Sequence, residues 1–136
     1  MTPKALKERT EVFADKIIAF CTPLLDNRKT NEMADQLLRS GTAVDSNYGS
    51  AQRGRSNDEF IAKLGQVLDD ASESRGWLEK LEKSTLVPET ALLNWLLKES
   101  DELTRIFAKS YNTARGNREE KKELKKRKAR RSRRRE

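Results

Sequence analysis

The chain contains no histidine, one cysteine (Cys21), three prolines and eight Phe, Trp or Tyr residues among 136. Each scarcity excludes something. Without His there is neither imidazole acid–base chemistry nor a His metal ligand, and a lone Cys builds neither a disulfide nor a thiolate zinc site. Cys21 itself reads as a small buried apolar residue, since no base is available to activate it. No apolar run approaches the 18 or so residues that span a bilayer, and the N-terminus carries no signal-like pattern. A soluble, cytoplasmic protein with no membrane association is therefore expected. Gly49 and Gly54 lack a following Lys-Ser/Thr pair and a preceding strand, so no phosphate loop is present. The adjacent carboxylates Asp69-Asp70 and Glu119-Glu120 point about 100° apart on a helix and cannot share a proton. No constellation meets the needs of a nucleophile, base or metal, and the expectation is a non-enzyme with no cofactor, no metal and no small-molecule substrate.

What the chain does contain is charge, 38% of residues, with 35% hydrophobic. That mixture, rich in Leu, Ala, Glu, Lys and Arg, suits helical bundles. The net charge of +7 is unevenly placed. Residues 115–136 hold 13 basic and 4 acidic residues, which leaves 16 basic and 18 acidic residues for positions 1–114. A slightly acidic body thus carries a strongly basic tail, and two regions follow: a bundle over 1–114 and a tail over 115–136.

Apolar periodicity predicts four helices. The first begins with Thr2 as cap and Pro3 in the first position, and runs Leu6, Thr10, Phe13, Ile17, Phe20, Leu24 along one stripe, widened by Ile18, Cys21 and Leu25, until Pro23 ends or kinks it. After a loop over Asp26–Thr30, the second carries Met33, Leu37, Leu38, Gly41, Val44, Tyr48 and Ala51, with Gly54 as its expected C-terminal cap. Ser56-Asn57-Asp58-Glu59 is a capping box for the third, whose stripe is Phe60, Leu64, Val67, Ala71, Ser74, Leu78, Leu81. Arg75 flanks that stripe, with Glu73, Glu99 and Asp101 as candidate partners. A turn over Glu82–Val87 precedes the fourth helix, expected to open at Pro88-Glu89 and to bury Leu92, Leu93, Leu96, Leu97, Leu103, Ile106 and Phe107. Trp77 and Trp95 suit either the core rim or a subunit contact.

Ser40–Ala51 is the least regular part of this pattern. Two Gly, three Ser and one Thr make a poor helix by propensity, yet a structureless loop of that length is unusual in a small domain. A helix whose small residues admit a close neighbour, either a helix or a subunit, accounts for it.

Several ordered stretches carry a resemblance: Leu37-Leu38-Arg39-Ser40-Gly41-Thr42, Asn47-Tyr48, Asp58-Glu59-Phe60-Ile61 with Lys63-Leu64, and Glu73-Ser74-Arg75 with Trp77-Leu78. From about Asn27 to Arg115 the chain is similar to bacterial large-subunit (23S) rRNA intervening-sequence proteins, a family that includes accessory variability proteins of diversity-generating retroelements. Asp45-Ser46 and Gly49 depart from the family's usual residues. The resemblance implies an all-α, antiparallel up-down four-helix bundle assembling as a barrel-like homopentamer, with Gly41, Tyr48, Arg75 and Trp77 as structural or interface residues. It also implies a basic accessory protein that binds a reverse transcriptase and template RNA or cDNA. The alternative is an rRNA intervening-sequence-encoded or protein-interaction bundle without direct nucleic-acid contact.

Residue by residue, the nucleic-acid candidates are Lys125, Lys126, Arg127, Lys128, Arg130, Arg131, Arg133, Arg134 and Arg135. This run contains no acid. Its self-repulsion predicts disorder in the free protein beyond a helical extension over Arg118–Leu124. Binding to RNA or DNA would go through phosphates; the bland alternative is a solubilising terminus.

Overall fold

In the computed structural model, which describes residues 1–135, the described residues form four α-helices and no strand: α1 (Pro3–Cys21), α2 (Asn31–Gln52), α3 (Asn57–Ser84) and α4 (Ala91–Arg135). Around the bundle each helix packs on the next, α1 on α2, α2 on α3 and α3 on α4, and α1 meets α4 along a thinner seam. The local signals explain the boundaries. Thr2 Oγ1 accepts the Ala5 N–H at 3.0 Å with Pro3 in the first turn, and α1 gives way to a single 3-10 turn, Thr22–Leu24, around Pro23. Ser56 Oγ accepts the Glu59 N–H at 3.1 Å, while Glu59 Oε2 reaches back to the Arg55 N–H at 2.8 Å.

Three boundaries differ from expectation. Gly54 does not cap α2 in the left-handed conformation; the helix ends at Gln52 with Arg53 at φ −96°, and no described glycine has positive φ. The left-handed cap is Thr85 (φ 57°), which ends α3. The fourth helix opens at Ala91 instead of Pro88-Glu89, because Thr90 Oγ1 accepts the Leu93 N–H at 3.1 Å and so supplies the cap. Ile18, expected to widen the buried face of α1, is exposed.

The core contains the stripe positions themselves. Phe13, Ile17, Leu37, Val44, Val67, Leu78, Leu81, Leu96, Leu103 and Phe107 have no solvent exposure. Cys21 is equally buried, and burial pushes its thiol up to about 12, far from any reactive thiolate. Ser40 and Ser74 are buried and joined hydroxyl to hydroxyl at 3.0 Å, tying α2 to α3 where both helices carry small side chains.

The helix over Ser40–Ala51 is present, and Gly41 shows why it contains glycine. A Cβ there would sit 2.8 Å from both γ-carbons of Ile17, a fully buried side chain on α1. The close approach is therefore between helices of one chain. Ile17 is β-branched and stiff, so it cannot swing aside. Gly41→Ala gains about 1 kcal/mol of helix propensity but forces overpacking that costs about 1–3 kcal/mol. Net destabilisation is expected. At Gly76 an added Cβ meets nothing within 4 Å, so Gly76→Ala should raise stability by roughly 1 kcal/mol. Thermal melts of the two variants should shift in opposite directions.

Asp70, half-buried on α3, accepts a hydrogen bond from Asn47 Nδ2 at 2.8 Å. Burial raises its carboxyl above the usual value, outweighing the opposing effect of Asn47, and Glu73 and Asp69 push the same way. The folded state therefore holds this proton more tightly than the unfolded chain. Stability from this site is present below the ordinary Asp value of 3.8 and is lost as pH rises through the raised folded value. Asp70→Asn keeps an acceptor for Asn47 and should be more stable than the parent at neutral pH, with the difference vanishing near pH 3 in urea titrations.

Candidate nucleic-acid interface

α4 does two jobs in sequence. Its first half buries Leu93, Leu96, Leu103 and Phe107 in the bundle. Tyr111 and Ala114 still pack on the core, and a Cβ at Gly65 of α3 would touch the Tyr111 ring at 3.2 Å. Arg118 makes the last contact with the body, its Nη1 lying 3.5 Å from Asp58 Oδ1 on α3. From Glu119 to Arg135 every side chain is exposed and the helix continues without a break. At 1.5 Å per residue this arm projects about 25 Å.

The helical arm corrects the expectation of disorder after Leu124. Lys, Arg, Leu, Ala and Glu are good helix formers, Glu123 pairs with Arg127 at 3.8 Å, and cations at a helix C-terminus are favoured by the macrodipole. At 100° per residue, Lys125, Lys126, Arg127, Lys128, Arg130, Arg131, Arg133, Arg134 and Arg135 surround the helix on all sides. Lys128, Arg131, Ser132 and Arg135 share one face of the arm. Glu136 lies outside the described residues.

The other residues singled out by the sequence lie in the bundle, separate from the arm. Tyr48 is buried, its ring 5.3 Å from that of Phe107 and tilted by 60°. Arg75 takes Asp101 of α4 at 3.2 Å, with Glu79 at 3.8 Å, which resolves its choice of partner. Glu99 is not that partner because it is committed elsewhere: Arg9 donates Nε and Nη2 to its two oxygens at 2.7 and 2.6 Å and also bonds Glu102. Trp77 is half-buried, with Lys80 Nζ 4.5 Å from its ring and Nε1 donating to Glu73 at 3.4 Å. Asp45, the residue out of keeping with the family resemblance, is held by Lys7 and by the Thr10 hydroxyl at 2.9 Å, so α1 and α2 share a polar clasp. Periodicity could not reveal these cross-helix pairs; the sign was a charged residue on an otherwise apolar face, as at Glu99.

Among the described residues no group of His, Cys, Asp and Glu is placed to hold a metal, and no helix is long and apolar enough to cross a membrane. What the geometry defines is an all-helical four-helix protein bearing a long cationic helical arm. The chain belongs to the 23S rRNA-intervening sequence protein family, whose model matches residues 5–109. Among solved structures it is similar to a Bacteroides thetaiotaomicron protein described as of unknown function from the S23 ribosomal protein family. The two are 27% identical with a TM-score of 0.74, over 82% of this chain and 99% of the other. No curated protein matches. The family match ends before the arm, at residue 109.

Proposed function

We propose that this protein is a non-enzymatic, nucleic-acid-associated assembly protein that grips phosphate backbones through the basic arm of α4. One observation carries this: nine Lys and Arg residues, with no acid among them, stand on an exposed helix continuous with the bundle. Such a surface gains affinity by releasing counterions from phosphates and carries no base-reading specificity of its own. The family resemblance supports the finer proposals. The helices follow an antiparallel up-down course, in keeping with one small cavity lined by Pro3 and Leu6 of α1, Tyr48 of α2, Phe60 of α3 and Phe107 of α4. The bundle assembles as a homopentamer, which would present five arms and multiply their attraction. The partner is a reverse transcriptase with its template RNA or cDNA.

Fluorescence anisotropy with two unrelated RNAs of equal length tests the core of this. Similar affinities for both are expected; no binding to either at low salt refutes it. Light scattering tests the pentamer, and a monomeric mass refutes that assembly. Co-purification of a reverse transcriptase that survives nuclease treatment is expected if the partner is bound directly. Its loss on nuclease treatment shows bridging by RNA.

A further inference from the structure

The turn between α2 and α3 borders an open pocket of about 430 Å³ whose lining includes three cationic residues: Arg53 and Arg55 from the turn and Lys63 from the second turn of α3. None of the three forms an ion pair among the described residues. One acid, Glu59, also lines the cavity, but its Oε2 is occupied by the Arg55 backbone N–H at 2.8 Å. The side-chain charge around the cavity is therefore two positive in excess. Ser50 and Gln66 add neutral hydrogen-bonding groups to the wall, Gln66 accepting from Lys63 at 3.4 Å. Elsewhere on the body, Lys7 and Arg9 cross to α2 and α4, Arg39 and Arg105 hold carboxylates on their own helices, and Arg75 crosses to α4. Arg53, Arg55 and Lys63 have no such carboxylate partner and border one shared pocket.

The position of the cavity matters as much as its charge. Glu59 is adjacent in sequence to Asp58, the residue that Arg118 contacts at the root of the arm. Successive residues on a helix point about 100° apart, so the cavity and the root of the arm lie a quarter turn apart around the first turn of α3. A strand lying along the arm reaches this end of the bundle as it leaves the arm.

We propose that the Arg53–Arg55–Lys63 cavity is a phosphate subsite on the body, which receives the backbone of the single-stranded RNA held by the arm. It rests on the nucleic-acid function proposed above and adds contacts outside the basic tail. A strand fixed at the arm and at the bundle end has a defined path relative to the body, which an arm alone does not impose.

The test is the full-length triple variant Arg53→Gln, Arg55→Gln, Lys63→Gln, titrated by anisotropy against a 30-nucleotide oligo(U) across salt concentrations. Two further full-length proteins accompany it. One has the nine arm cations replaced by Gln. The other, Arg28→Gln, Lys29→Gln, Lys83→Gln, loses the same charge from exposed positions in the α1–α2 loop and the last turn of α3. Circular dichroism confirms folding of each. The cavity variant should bind about tenfold or more weakly at 50 mM salt, with a slope of log K against log salt shallower by roughly 1–2, while the remote variant changes much less. Equal losses in the cavity and remote variants overturn the subsite, because net charge alone would then explain them. Unchanged binding by the cavity variant beside lost binding by the arm variant also overturns it, leaving the arm function standing. Parent-like binding by all three proteins overturns both.

Discussion

Replacing all nine Lys and Arg residues between Lys125 and Arg135 with Gln should lower RNA affinity about a thousandfold or more at 50 mM salt. The magnitude follows from counterion release. A protein making roughly 6–10 phosphate contacts loses about 10³–10⁵ in affinity over a fourfold rise in salt, and removing the cations removes those contacts. The substitution isolates charge from structure. Gln is a good helix former, so the arm stays helical, and every side chain replaced is exposed, so no packing is lost. The melting temperature should stay close to the parent's. Retained affinity would show that the arm only confers solubility; loss of both affinity and fold would show that it packs on something in the assembly.

The second large effect is on stability. Phe107→Ala should destabilise the protein by about 3–5 kcal/mol. Phe107 has no solvent exposure, and its ring meets Tyr48 of α2 at 5.3 Å. It also borders the small cavity shared with Leu6, Phe60 and Leu64. Truncation enlarges an existing void that the surrounding helices, fixed by their own stripes, cannot collapse to fill. For a chain of this size the loss corresponds to a fall in melting temperature of about 10–20 °C. Leu124→Ala, at a position 51% exposed, serves as the comparison and should leave the melt essentially unmoved. A shift below about 5 °C for Phe107→Ala would mean that the bundle end is looser than its burial implies.

Helix existence was legible in the residues because burial leaves a period. Leu64, Val67, Ala71, Ser74, Leu78 and Leu81 repeat at alternating spacings of three and four, and all six are buried. Caps were legible where the signal was local, as at Thr2 and Ser56. Other boundaries follow a different residue from the one the local pattern favours. Pro88-Glu89 has the look of a helix start, but the hydroxyl of Thr90 makes the cap, and Gly54 has the look of a left-handed stop for α2, which ends at Gln52 without one. Gly41 could be seen as a close-approach residue, though only the fold identified its neighbour as Ile17. Cross-helix ion pairs were beyond reach for a general reason: Arg9–Glu99 joins residues 90 apart in sequence, and no spacing rule connects them.

The candidate site divided differently. The composition of the arm was plain from the sequence, but its conformation was not. Self-repulsion argued for disorder, whereas helix propensity, the Glu123–Arg127 pair and the C-terminal macrodipole favour a continuous helix, and α4 supplies a folded stem from which it propagates without a new nucleation step. The cavity at Arg53, Arg55 and Lys63 had no sequence signature, because its cations come from both sides of a turn. Their placement around one pocket depends on how α2 and α3 pack.

The most direct test of the central claim is the salt dependence of binding by the unmodified protein to a single-stranded RNA of arbitrary sequence. Engagement of most of the nine arm cations predicts a straight line of log K against log salt with a slope near −5, since each contact on a single strand contributes about −0.7. A slope near zero, or affinity that changes with RNA sequence and hardly with salt, would contradict it.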